Sequence, residues 1–287
     1  MSRILEGEFD VVILSPPCGS WSRANWANDD GPAPCRDRFH PWGFENNKPS
    51  QRKRAETGNE FVHFSIRAIV SAQQARQRGF SVRCLLEHPE DLGRVGPEAL
   101  HQGVPASIWQ LPQLRSAFGD AKSTSVGGWQ CQFPGVDVAK PTRLYSDIPG
   151  IAGFGRVGWP ILDADHNARG PLPRYCGHNH RQKTIGRNAQ GGFNVSPTAA
   201  YPEPMCQWLA EVIFEDWLKT SRLPRKGGGN SYPARTSKQP GLNSPSSSGG
   251  PGVRVRSDLG SHLAPWTSTA YEASPWLGGQ RGHLCRG

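Results

Sequence analysis

The sequence predicts an α/β protein: parallel strands joined through a helix, then an irregular region, a late helix and a disordered basic tail. Three observations carry this prediction. Two short β-branched apolar runs, FDVVILS (9–15) and SVRCLLE (81–87), each end at or just before proline. Between them, residues 57–79 place apolar side chains at helical spacing. From residue 221 onward the composition shifts to Gly, Ser and Pro.

The first run suits a buried strand stopped by Pro16 and Pro17. Residues 19–56 are polar and rich in Gly, Pro and Asn. They read as a long loop carrying the basic cluster Lys48, Arg52, Lys53 and Arg54. A loop of that length inside a domain usually serves a function. TGNE (57–60) fits a capping box, with Thr57 as cap and Glu60 three residues on. Phe61, Phe64 or Ser65, Ala68, Ile69 and Ala72 then follow at helical spacing, and Gly79 ends the helix.

With a strand at 81–87, strand, helix and strand form a right-handed crossover, so both strands run parallel. Their C-terminal ends then open on one edge, where open α/β sheets bind ligands. Cys18 lies just past the first strand and Glu87 closes the second.

Residues 107–119 read as a helix interrupted at Pro112, 123–133 as strand-like, and 134–200 as irregular. The stretch 201–219 is a helix with Met205, Leu209, Val212, Ile213 and Trp217 on its apolar face. Pro202 and Pro204 suit its first turn.

The net charge of +9 is concentrated in the tail. Residues 221–287 hold nine Lys/Arg against Asp258 and Glu272, whereas the preceding 220 residues carry 24 basic and 22 acidic side chains. With 12 Gly, 11 Ser and 7 Pro, the tail cannot bury enough apolar surface to offset its ordering entropy. No run of about 18 apolar residues occurs, which predicts no membrane span. The N-terminus lacks an apolar signal region, which predicts an intracellular protein, the nucleus included, that is not secreted. Seven cysteines without paired spacing read as reduced thiols. Cys84 and Cys206 sit in apolar patterns and read as buried and inert.

A thiolate attacks only when it is placed and activated. Pro16 and Pro17 fix two successive φ angles before Cys18, and Gly19 allows close approach to the backbone. Cys18 taken alone fits a structural thiol as well as a nucleophile; Glu87 at the same sheet edge shifts the balance towards chemistry. CGHNH (176–180) offers Cys176, His178 and His180 to zinc, with Cys131 or Cys206 as a fourth ligand; the alternative is a hydrogen-bonded polar loop. GFGRVG (153–158) matches G-x-G-x-x-G but lacks a strand before it and a helix after it, so it reads as a loop.

SPPCGSWSRA (15–24) resembles the nucleophile loop of the DNA (cytosine-5) methyltransferases, and LLEHPEDL (85–92) resembles their Glu-Asn segment. WQCQF and KPTRLYSD (129–147), with FNVSPTAAYPEPMCQWLAEVI (193–213), resemble late segments of divergent phage- and mobile-element-like members. The resemblance implies a partial Rossmann-like methyltransferase fold over 1–220. In it Cys18 adds to C6 of a flipped cytosine while Glu87 engages N3 and the exocyclic amine, and C5 takes a methyl group from S-adenosylmethionine.

Pro17, Ser20, Ser22, Arg23 and His88 would line the substrate. Lys48, Arg52, Lys53 and Arg54 would close over the DNA backbone. The glycine-rich cofactor motif and acidic residue expected before the Pro-Cys loop are not found, so the region reads as N-terminally truncated. The rival expectations are a catalytically dead nucleic-acid-binding remnant of a mobile element and a zinc-stabilised interaction domain.

Overall fold

The two apolar runs do form adjacent parallel strands. In the computed structural model β1 (Val11–Leu14) pairs with β2 (Arg83–Pro89), in register from Val11↔Arg83 to Leu14↔Leu86. The structure describes residues 1–221 except 28–30, 120–122, 182–185, 188, 193 and 195. The tail predicted from 221 therefore lies outside the described residues beyond Ser221.

A short α1 (Ser2–Leu5) precedes β1, and α2 (Ala24–Ala27) and the long α3 (Pro49–Gln77) connect it to β2. Then come α4 (Pro112–Ala117), β3 (Thr124–Trp129), β4 (Pro141–Ser146), β5 (Arg156–Val157), the small β6 (Ile161–Leu162) and β7 (Ala168–Gly170) pair, and α5 (Glu203–Ser221). No helix among the described residues is long and apolar enough to cross a membrane.

Helix α3 starts eight residues before the predicted cap. Pro49 occupies its first turn and the Gln51 side chain accepts from the Lys48 backbone N–H at 3.0 Å, so Thr57 and Glu60 lie inside the helix. The expected loop cluster is thus helical: Arg52, Lys53 and Arg54 belong to the first two turns. These turns face solvent, which removes the apolar periodicity that marks a helix. Further on, Ala55, Gly58, Val62, Ser65, Ala68, Ile69, Ala72 and Ala75 are buried. A Cβ on Gly58 would meet Ser20 Oγ at 2.2 Å, so the absence of a side chain lets the loop after β1 lie against the helix. Gly79, at φ +94°, ends α3 as predicted, in a conformation that favours glycine.

The segment between β1 and α3 is organised around one buried guanidinium. Arg36 donates to Pro41 O (2.6 Å), Asn59 Oδ1 (2.7 Å), Ser20 Oγ (3.1 Å) and Ala55 O (2.6 Å). It also lies 3.9 Å over the Trp21 ring. Desolvation pulls its pKa down to about 10, still far above neutrality, so the charge persists.

The main sheet has the order β1-β2-β4-β3-β5. β1, β2 and β3 run one way, and β4 runs against them between β2 and β3. Only β1 and β2 are parallel neighbours, so the sheet is mixed. The region expected to be irregular from 134 contains β4, which is central. The stretch predicted as one interrupted helix is a 3-10 turn (Ile108–Gln110) followed by α4, which starts at Pro112.

Successive strand residues face opposite sides. Leu14, Leu86 and Tyr145 pack under α3 and α4 with Val62, Ile69, Trp109 and Leu114. Leu85, Val126 and Leu144 pack on the other face with Phe154 and Met205 of α5. The inward stripe of α5 is Met205, Trp208, Leu209 and Val212. Trp217 is instead exposed and stacks on Phe214. Burying a side chain such as Val62 or Leu144 contributes roughly 1.5–3 kcal/mol.

Candidate functional site

The shared C-terminal edge of β1 and β2 collects side chains from four elements. Continuing the β1–β2 register past Leu14↔Leu86 puts Ser15 beside Glu87. Ser15 Oγ donates to Glu87 Oε2 at 2.8 Å. The Tyr201 hydroxyl, two residues before α5, meets the same Oε2 at 2.7 Å and Ser15 Oγ at 2.8 Å. Two hydroxyl hydrogens are thus shared among three short distances. Both hydroxyl bonds to the carboxylate fall on Oε2, so neither occupies Oε1. Glu87 itself is only 5 % exposed.

Lys140 precedes β4, whose antiparallel pairing with β2 brings it to this edge. Its amine donates to Thr198 O at 2.6 Å and lies 5.7 Å from the Tyr201 ring centre. Cys18 stands in the turn after β1, where Trp21 N donates to its carbonyl at 2.9 Å. Burial pushes the Cys18 thiol up; the Lys140 charge pulls it back, and the Glu87 carboxylate pushes it further up. Nothing lies within 4 Å of a Cβ built on Gly19, so the backbone just after Cys18 borders open space. Burial and the Glu87 charge also raise the Tyr201 phenol far above its ordinary value, so it remains a neutral donor.

Sequence reasoning placed Cys18 and Glu87 here but missed Ser15, Lys140 and Tyr201. Lys140 and Tyr201 lie inside the late segments that carried the resemblance, which was the one signal pointing to them.

Three of the other expected substrate-lining residues, Ser20, Ser22 and Arg23, are already engaged within the protein. Ser20 is buried and accepts from Arg36, Ser22 Oγ accepts from Ala24 N at 3.1 Å, and Arg23 donates to Leu92 O (3.1 Å) and Gly93 O (2.6 Å). Desolvation lowers Arg23 to about 10. Pro17 is exposed. His88, next to Glu87 on β2, necessarily faces the other side of the sheet, where it meets the Trp109 edge at 6.4 Å. It is 1 % exposed, and neither ring nitrogen has a hydrogen-bond partner of normal geometry. Burial drives its pKa down to about 3, although the nearby Pro89 carbonyl opposes this. Lys48, Arg52 and Lys53 are exposed, whereas Arg54 donates to Ala33 O.

Beneath the edge, on the His88 side, Arg143 and Glu90 form a bidentate pair. The distances are Nε–Oε1 2.9 Å and Nη2–Oε2 2.6 Å, with side-chain exposures of 0 % and 1 %. Arg143 also donates to Ser125 Oγ at 2.6 Å and to Gly158 O. Burial raises Glu90, and Arg143 opposes that rise.

Of the remaining cysteines, Cys84 is buried as expected, and burial lifts it to about 12. Cys206 is exposed on α5, contrary to its expected burial, because it falls on the solvent side of the Met205–Leu209 stripe. Cys176, His178 and His180 converge on Cys131 rather than on Cys206.

A G-x-G-x-x-G cofactor turn follows a strand and opens a helix. The GFGRVG stretch instead runs from a 3-10 turn (Pro149–Phe154) into β5, and β6 follows. A Cβ on Gly155 would come 2.4 Å from Gly127 O, so this glycine serves packing on β3. This stretch is therefore not a glycine-rich cofactor turn. Comparison with protein-family models, with curated proteins and with solved structures returned no match to this chain.

Proposed function

We propose that the edge formed by Cys18, Glu87, Lys140 and Tyr201 acts on cytosine in DNA through a covalent Cys18 adduct, the chemistry of the cytosine-5 methyltransferases that the sequence resembles. The observation that carries this reading is the placement of Cys18 within electrostatic reach of both Glu87 and Lys140 at the end of two parallel strands. Three same-direction strands ending at one edge also support the Rossmann-like half-fold that the resemblance implies.

In this reading the base is flipped out of the duplex, because C6 cannot be reached within the stack. Lys140 favours loss of the Cys18 proton. The Sγ–C6 bond then forms and the C5–C6 π pair shifts to C5. Glu87 Oε1 accepts from the exocyclic amine, while Tyr201 and Ser15 hold Oε2 in place. C5 takes a proton from solvent and loses its original hydrogen as a proton. The electron pair then re-forms the C5–C6 bond and expels Sγ. Methyl transfer to C5 from S-adenosylmethionine is the expected overall activity. Exposed Lys48, Arg52 and Lys53 at the start of α3 supply phosphate contacts, since a helix N-terminus adds to their positive potential.

The test needs no cofactor. Duplex DNA tritiated at cytosine C5 should release tritium to water with the wild type, and the rate should fall at least 100-fold in Cys18→Ser. No release, or release undiminished in that variant, would overturn the reading. Salt-sensitive DNA binding without exchange would favour the remnant reading, in which the basic residues bind and Cys18 is idle.

A further inference from the structure

We infer that Cys131, Cys176, His178 and His180 form a structural zinc site, an inference that stands apart from the chemistry proposed for Cys18. The four donor atoms come from two distant parts of the chain and all lie within 4.8 Å of one another. Cys176 Sγ is 3.1 Å from His180 Nε2, and Cys131 Sγ is 3.4 Å from His178 Nδ1. Zinc at about 2.3 Å from sulfur and 2.0–2.1 Å from nitrogen sets tetrahedral edges of roughly 3.3–3.8 Å. The two measured sulfur–nitrogen edges lie close to this range, and the widest separation, at most 4.8 Å, would contract by about 1 Å on binding.

The local backbone explains the convergence. Cys131 sits in a 3-10 turn (Gln130–Gln132) after β3. That turn is fixed by Gln130 N donating to Lys140 O at 3.0 Å and Gln130 Nε2 donating to Thr142 Oγ1 at 3.0 Å. Cys176, His178 and His180 lie in one loop, and Gly177 at φ +79° bends the chain between the first two of them.

Two thiols and two imidazoles in a compact set select zinc among common divalent ions. Four protein ligands leave no open position, so the site is structural rather than catalytic. His180 uses Nε2 towards the metal position, and its Nδ1 lies 3.5 Å from Asp137 Oδ1. That separation is not a hydrogen bond as it stands, but it would put Asp137 where an outer carboxylate orients a metal-bound histidine. Arg181 holds Asp137 in turn, through Nε at 3.1 Å. A metal here ties the 171–181 loop to the end of β3, in the same turn that braces Lys140.

The full chain, purified reduced and in the presence of zinc, should retain one zinc per chain by elemental mass spectrometry. Cobalt substitution should give tetrahedral absorption with a thiolate charge-transfer band. Cys131→Ser and Cys176→Ser should each abolish stoichiometric metal, and Cys206→Ser should retain it. His178→Ala, at an exposed position, provides the test if a cysteine variant does not fold. Asp137→Asn should weaken affinity by about 10–100-fold. A metal-free reduced wild type, or metal retained by both Cys176→Ser and His178→Ala, would overturn the inference.

Discussion

The Tyr201 hydroxyl reaches Glu87 Oε2 at 2.7 Å across 114 residues of sequence, joining the start of α5 to the edge of the parallel strand pair. Hydrogen bonds to charged groups are worth about 1.5–3 kcal/mol. Tyr201→Phe should therefore slow C5 tritium release roughly tenfold or more while DNA affinity, measured by fluorescence anisotropy, stays unchanged.

The charges around Cys18 predict opposite shifts in its reactivity. Alkylation of Cys18 by iodoacetamide should rise with pH at a midpoint above the ordinary thiol value, because burial dominates. Lys140→Ala removes a favourable charge and should move the midpoint up; Glu87→Gln removes an unfavourable one and should move it down. Mass-spectrometric alkylation profiles of the three proteins check the signs.

His88 ties stability to pH. Its folded pKa is about 3, against an ordinary 6.5, so the unfolded chain takes up the proton first on acidification. The stability linked to neutral His88 is complete above about pH 6.5 and is lost as pH falls towards 3, at roughly 1.4 kcal/mol per unit. Urea unfolding at pH 7.5 and pH 5 should show the wild type losing about 2 kcal/mol more than His88→Leu.

The Arg143–Glu90 pair should be costly to halve. Arg143→Met leaves a buried carboxylate without its partner and should cost about 3–5 kcal/mol in urea unfolding. Pairing it with Glu90→Leu should recover much of that loss. Gly127→Ala should also destabilise strongly, since its Cβ would fall 2.1 Å from Glu90 Oε2.

The basic turns of α3 make a salt prediction. Replacing exposed Lys48, Arg52 and Lys53 by Gln should weaken DNA binding evenly across sequences. It should also flatten the slope of log affinity against log salt by about 1 for each phosphate that is no longer neutralised.

The parallel strands, the Gly79 stop and α5 were legible because apolar periodicity and glycine chemistry act locally. Strand β4 was not. Its buried Thr142, Arg143 and Ser146 read as loop polarity until their distant partners, Gln130, Glu90 and the Cys84 carbonyl, are in place. The start of α3 was hidden for the opposite reason, since its first turns bury almost nothing. At the site, Cys18 and Glu87 could be placed from strand order alone. Lys140 and Tyr201 arrive only through the antiparallel return of β4 and the docking of α5, and no local signal encodes either.

The opposite facing of Glu87 and His88 makes β2 the stretch least tolerant of a change in chain length. Deleting or inserting one residue between 83 and 87 would exchange the two faces. The carboxylate would then be pressed against Trp109, and the imidazole would be presented to Cys18. Length variation among natural or engineered versions of this chain should therefore avoid β2 and fall in the connections on either side of it.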